Sequence, residues 1–91
     1  MDEKKVICDA LRTFGVESQA VVAIEEMSEL QKELCKMLRG KADIDHIAEE
    51  IADVEIMLAQ MVEAFEIRFL IDAWKEYKLH RLASHMVLEN E

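Results

Sequence analysis

The sequence predicts an all-α fold in which a central antiparallel helical hairpin, flanked by an N-terminal and a C-terminal helix, completes a helical bundle by oligomerisation. Helix breakers are nearly absent, with two Gly and no Pro in 91 residues. Six Met and a 52% hydrophobic share with only 5% aromatics belong to a helical composition. Apolar residues also recur with alternating spacings of three and four, the period of an amphipathic helix. A chain this short cannot divide its apolar side chains between two cores, so residues 1–91 are expected to form one domain.

The elements follow from the few punctuation marks. A first helix is expected over Glu3–Phe14, ended by Gly15, with Ser18 placed to cap the next. Arg39-Gly40-Lys41 ends the second helix, and Asp43 is the natural cap of the third. From Ile44 to Met86 there is no Gly or Pro, and a bend is expected near Glu66 to Arg68, where the apolar phase changes. The third helix carries Ile44, Ile47, Ile51, Val54, Leu58, Met61 and Phe65 as a bundle seam. Ala23, Met27, Leu30, Leu34 and Met37 repeat that alternation on the second, and the short link at Gly40 makes the pair antiparallel. Val21, Val22, Ile56 and Met57 lie off the seam. Their burial requires a second copy, so a homodimer or homotetramer is expected.

Eleven Lys and Arg against twenty Asp and Glu give a formal charge of −9. Such a field repels polymeric nucleic acid and anionic lipid, and an anionic small ligand needs a divalent cation to offset it. Cys8 and Cys35 form no CxxC motif and read as reduced packing residues. The opening Met1-Asp2-Glu3-Lys4-Lys5 is too charged for a signal peptide, and no run approaches the roughly 18 apolar residues of a membrane span. A cytoplasmic protein without a membrane partner is the expectation.

The acids carry the most information. Ile24-Glu25-Glu26-Met27-Ser28-Glu29-Leu30 overlays Ala48-Glu49-Glu50-Ile51-Ala52-Asp53-Val54, so acids recur together with the core positions. At about 100° per residue, Glu26 and Glu50 both fall roughly 60° to one side of the seam, and Glu29 and Asp53 roughly 120°. Glu25 and Glu49 point outward. A single EExxE is usually a solvated face, but two pairs at matching phase put four like charges beside an apolar seam. A hard divalent cation such as magnesium compensates that arrangement. A di-iron site would want Glu-x-x-His, and the residues three before His46, His80 and His85 are Asp43, Tyr77 and Leu82. The histidines read as surface or rim residues.

Glu25-Glu26-x-x-Glu29 followed by Glu50-x-x-Asp53 resembles the EExxE…ExxD signature of the MazG and dimeric-dUTPase superfamily of all-α nucleotide pyrophosphohydrolases, which includes phosphoribosyl-ATP pyrophosphohydrolase. Gln19, Leu30, and the Lys-x-x-Arg at Lys78 and Arg81 also look family-like, and the similarity runs from about Phe14 through Arg81. The resemblance implies hydrolysis of a nucleoside triphosphate between its α and β phosphates, releasing monophosphate and pyrophosphate. It further implies that Glu26, Glu29, Glu50 and Asp53 bind magnesium, with manganese as a substitute; Glu25 either orients an outer water or is exposed, and its phase favours exposure unless another subunit covers it. Lys78 and Arg81 would then reach the phosphates, as cations at i, i+3 on one helix can do. Lys75 and Trp74 are further candidates, for phosphate and base. The chain departs from many relatives in having Phe65-Glu66-Ile67-Arg68 where they have a glycine-containing break, and nothing in it specifies the nucleotide. The opposing expectation is a non-catalytic, all-α homo-oligomeric interaction module with a surface acidic patch.

Overall fold

A computed structural model describes residues 1–90, with side chains through Met86. Four helices follow one another: α1 (Glu3–Phe14), α2 (Val16–Leu38), α3 (Ile44–Phe65) and α4 (Arg68–Asn90). The expected all-α class and the central hairpin are present. α2 and α3 form the main packing contact, α1 leans on both, and α4 has almost no contact with the other three.

Local chemistry sets the boundaries. The Asp2 carboxylate accepts a hydrogen bond from the Lys5 backbone N–H, and Asp43 does the same for His46, each at 3.1 Å. Each satisfies one of the donors left free at a helix start. Gly15 serves as the joint between α1 and α2 with φ 86° and ψ 153°, a conformation closed to residues with a side chain. The second helix therefore starts at Val16 with no side-chain cap, and Ser18 lies inside it rather than capping it. The bend after α3 falls where expected. Glu66 adopts the left-handed conformation (φ 52°, ψ 49°), and its backbone N–H closes the helix onto Val62 and Glu63.

The hairpin buries a different face from the most apolar one. On α2, Gln19, Ala23 and Glu33 are buried, with Glu26 and Leu30 half-buried between them. On α3 the inner positions are Met57 and Gln60, with Glu50, Asp53, Val54 and Met61 half-buried. The contact is turned by roughly 40–80° from the expected seam, toward the acids. Met27, Leu34, Met37, Ile51, Leu58 and Phe65, read as seam residues, are exposed, whereas Met57, read as lying off the seam, is buried. In a bundle helix the apolar sector serves two neighbours, so its centre lies between them and marks neither contact. Cys35 is exposed and not the packing residue it was expected to be, while Cys8 is half-buried, its thiol 3.9 Å from the Glu63 carboxylate.

Among the described residues the buried apolar side chains are Ile7, Ala23 and Met57. Polar groups fill the rest of the interior. The Gln19 Nε2 donates to Gln60 Oε1 at 2.7 Å, and Gln60 Nε2 points at Met57 Sδ at 3.6 Å. Gln60 is 3% exposed, so removing one amide leaves the other without water to replace it. Gln60→Leu should therefore lower unfolding free energy by about 1–3 kcal/mol, and adding Gln19→Leu should recover most of that loss. Urea titration of the three variants measures both quantities.

Candidate metal centre

The hairpin brings three of the four predicted acids together. Oxygen atoms of Glu26, Glu50 and Asp53 all lie within 4.8 Å of one another, and each residue is half-buried. One comes from α2 and two, spaced i, i+3, from one turn-and-face of α3. Glu29 stands one turn beyond Glu26 on the exposed surface and is not within the cluster, though its charge acts on both Glu26 and Glu50. Glu25 and Glu49 are exposed, as their phase requires.

The electrostatics are those of confined like charge. Partial burial raises the Glu26 carboxyl above its ordinary value, followed by a proton-requiring hydrogen bond to Asp53 and the charges of Asp53, Glu50 and Glu29. Glu50 is raised for the same first reason, then by Asp53, Glu29, Glu49 and Glu33. One Glu50 oxygen, Oε2, is buried without a hydrogen-bond partner. An all-oxygen donor set with an unpartnered buried oxygen suits a hard divalent cation.

One acid of this neighbourhood was missed in the sequence. Glu33 is buried where α2 and α3 converge toward the turn, with its Oε2 3.3 Å from the Lys36 ammonium. His46 Nδ1 lies 4.0 Å from Glu33 Oε1 and 3.5 Å from Asp43 Oδ2. Its signal was available: Glu33 follows Glu26 by seven, two turns along the same flank of α2. His46, His80 and His85 are exposed, as expected.

The remaining candidates sit on α4. Trp74, Lys75, Lys78 and Arg81 are exposed, and Trp74 packs edge-on to Tyr77 with ring centroids 6.1 Å apart. Because α4 stands away from the hairpin, this chain does not itself carry these residues to the acids. No described helix is long and apolar enough to cross a membrane. Compared with protein-family models, with curated proteins and with solved structures, the chain finds no match in any of the three.

The raised carboxyls predict a pH dependence of stability in metal-free protein. Glu26 and Glu50 hold protons more strongly folded than unfolded, where the ordinary value is 4.5. Their protonated contribution is complete below 4.5 and is lost as pH rises through the raised values toward neutrality. Asp43, lowered mainly by the His46 backbone N–H, acts in the opposite sense and at lower pH, below its ordinary 3.8. Thermal melts at a series of pH values rising from 4.5, the ordinary carboxyl value, should show the wild type losing stability with rising pH. Glu26→Gln and Glu50→Gln should flatten that slope and melt higher at neutral pH.

Proposed function

We propose that this chain is a magnesium-dependent nucleoside triphosphate pyrophosphohydrolase of the MazG-like kind, acting on the bond between the α and β phosphates. The observation that carries the reading is the meeting of Glu26, Glu50 and Asp53 across an antiparallel hairpin, at the positions where the EExxE…ExxD pattern recurs. Carboxylates this close repel one another and lose hydration, which makes little sense as a structural device.

Glu26, Glu50 and Asp53 would hold the ion, with Glu29 available from the adjoining turn. A divalent cation supplies neutralisation of the phosphates and a bound water of lowered pKa. Glu50 offers its unpartnered oxygen, and because a metal ion takes the ionised carboxylate, the raised Glu26 carboxyl couples binding to proton release. Glu25, exposed beside Glu26, is free to orient water at the edge of the site. Lys78 and Arg81 are the phosphate partners, Arg81 by bidentate contact, with Lys75 and Trp74 on the same helix for phosphate and base. A field of −9 would otherwise exclude a triphosphate, so the cation is also the condition for substrate entry.

The exposed apolar residues favour a second reading, a helical interaction module whose acids bind nothing. The two separate on metal. In the pyrophosphohydrolase reading, millimolar magnesium or manganese raises the melting temperature by linkage. The module reading leaves it unchanged.

Mixed NTPs and dNTPs with magnesium should yield monophosphate and pyrophosphate, whereas release of orthophosphate alone would mean that a different bond is cut. Glu26→Gln should lower metal affinity by at least about tenfold and turnover with it. Glu25→Gln and Glu49→Gln should leave metal affinity near wild type even where rate falls. Calorimetric titration of the single variants decides it: metal lost in the outer variants and kept in the inner ones contradicts the site.

A further inference from the structure

The α4 helix is built to be covered, and its own chain does not cover it. Phe69, Leu70, Trp74, Tyr77, Leu79 and Leu82 are all more than half exposed, with Phe69 reaching 83%. One flank of α4, continued back to Ile67 just before the helix, joins Ile71, Trp74 and Leu82 with Lys78 among them, and Arg81 falls in the same sector. Neither Lys78 nor Arg81 forms an ion pair among the described residues, whereas Arg68 at the start of α4 pairs with Asp72. Two unpaired cations inside an apolar stripe call for a covering surface that is apolar and carries acids.

The α2–α3 hairpin is such a surface. It leaves Met27, Leu34, Ile51, Leu58 and Phe65 exposed and holds the Glu26–Glu50–Asp53 cluster between its helices. The lengths agree as well. Asp53 lies about 18 Å of helix before Phe65, and Lys78 about 15 Å after Arg68. An α4 laid antiparallel on α3 would therefore set Lys78 level with Asp53 and Arg81 level with Glu50.

The amount of uncovered surface fits a second copy. The chain exposes 7414 Å², where a compact monomer of its mass, 10.5 kDa, would expose about 5,400 Å². The excess, about 2,000 Å² per chain, is what each partner of an obligate dimer buries. Likewise the radius of gyration is 16.5 Å, against about 12 Å for a compact chain of this length.

We infer that α4 is an exchanged arm: in an assembly of two copies each α4 lies on the α2–α3 hairpin of the other, bringing Lys78 and Arg81 to the Glu26–Glu50–Asp53 cluster in trans. Exchange keeps the contacts of a folded-back α4 while using the open elbow at Glu66. Each site is then composite, with acids from one chain and cations from its partner. The association and its charge pairing stand without catalysis, and only their service as a phosphate site rests on the pyrophosphohydrolase reading.

Carbodiimide coupling, which joins a carboxylate to a touching amine, tests this on the full chain. An equal mixture of heavy-isotope-labelled and unlabelled protein should sediment as a dimer or a dimer of dimers across the micromolar range. Coupling it should give peptides of mixed isotope that link Lys78 to Glu26, Glu50 or Asp53. Lys78→Arg keeps the charge but removes the amine, so the link should be lost while the assembly persists. A monomer overturns the inference, and so does a Lys78–acid link confined to single chains, which would mean that α4 closes on its own hairpin. An assembly lacking any Lys78–acid link overturns it too. None of these outcomes uses turnover, so a protein with the interchain link and no pyrophosphohydrolase activity would refute the proposed function alone.

Discussion

Three carboxylates meet where two helices close on each other, and the rest of the molecule is arranged around that repulsion. Glu26, Glu50 and Asp53 occupy positions in the α2–α3 contact that an ordinary hairpin would give to Leu or Ile. Moving them outward would require rotating both helices, which would also expose Ala23 and Met57. The helices are held in their rotation by what flanks the acids. Ala23 is small enough for a close approach on one side, and the Gln19–Gln60 pair fixes register through a hydrogen bond with no water to replace it. A hydrophobic contact would slide more easily than a paired amide. The acids are thus held together by polar interactions that do little to drive folding and much to specify geometry.

That choice leaves the chain short of apolar burial. Fixing a residue's backbone costs about 1–2 kcal/mol in conformational entropy, and the three apolar side chains buried among the described residues cannot offset that cost along the chain. The stripe that would have made a conventional core, from Met27 and Leu34 to Ile51, Leu58 and Phe65, is turned to the surface instead. Its exposure and the isolation of α4 have one origin. Devoting the inner face of the hairpin to a charged site moves the hydrophobic driving force to a surface that only another element can complete.

Much of this was legible in the sequence because it rests on local chemistry. The span of α1, the Asp43 cap and the bend at Glu66 each follow from side-chain and backbone preferences acting within a few residues. The coincidence of Glu26, Glu50 and Asp53 was legible too, since helical phase carries a side chain to a face wherever the helix goes. The true contact face was not. The apolar stripe of α2 reports the sum of everything that touches it, and a single sequence does not divide that sum between α3 and a second copy. Glu33 was lost because it belongs to neither of the repeated acid pairs, and a lone Glu on a helix reads as solvated even on the flank of Glu26. Ser18 failed differently, because Gly15 had already turned the chain into α2 and left no helix start for it to cap.

Negative charge concentrated in the hairpin also orders the events that can happen there. Protons, a divalent cation and the unpaired cations of α4 are alternative answers to one electrostatic demand, so each weakens the hold of the others. At low pH the Glu26 and Glu50 carboxyls meet it themselves by staying protonated. A metal ion bound at neutral pH would meet that demand and, in the exchanged assembly inferred above, would free Lys78 and Arg81 for any phosphate that follows the ion in. Without metal, in the same exchanged assembly, the carboxylates would draw the same two side chains and hold α4 against them. In that assembly the binding of the ion and the freedom of the arm would be one equilibrium, and by linkage whatever anchors the arm would lower the affinity for the ion by the same factor.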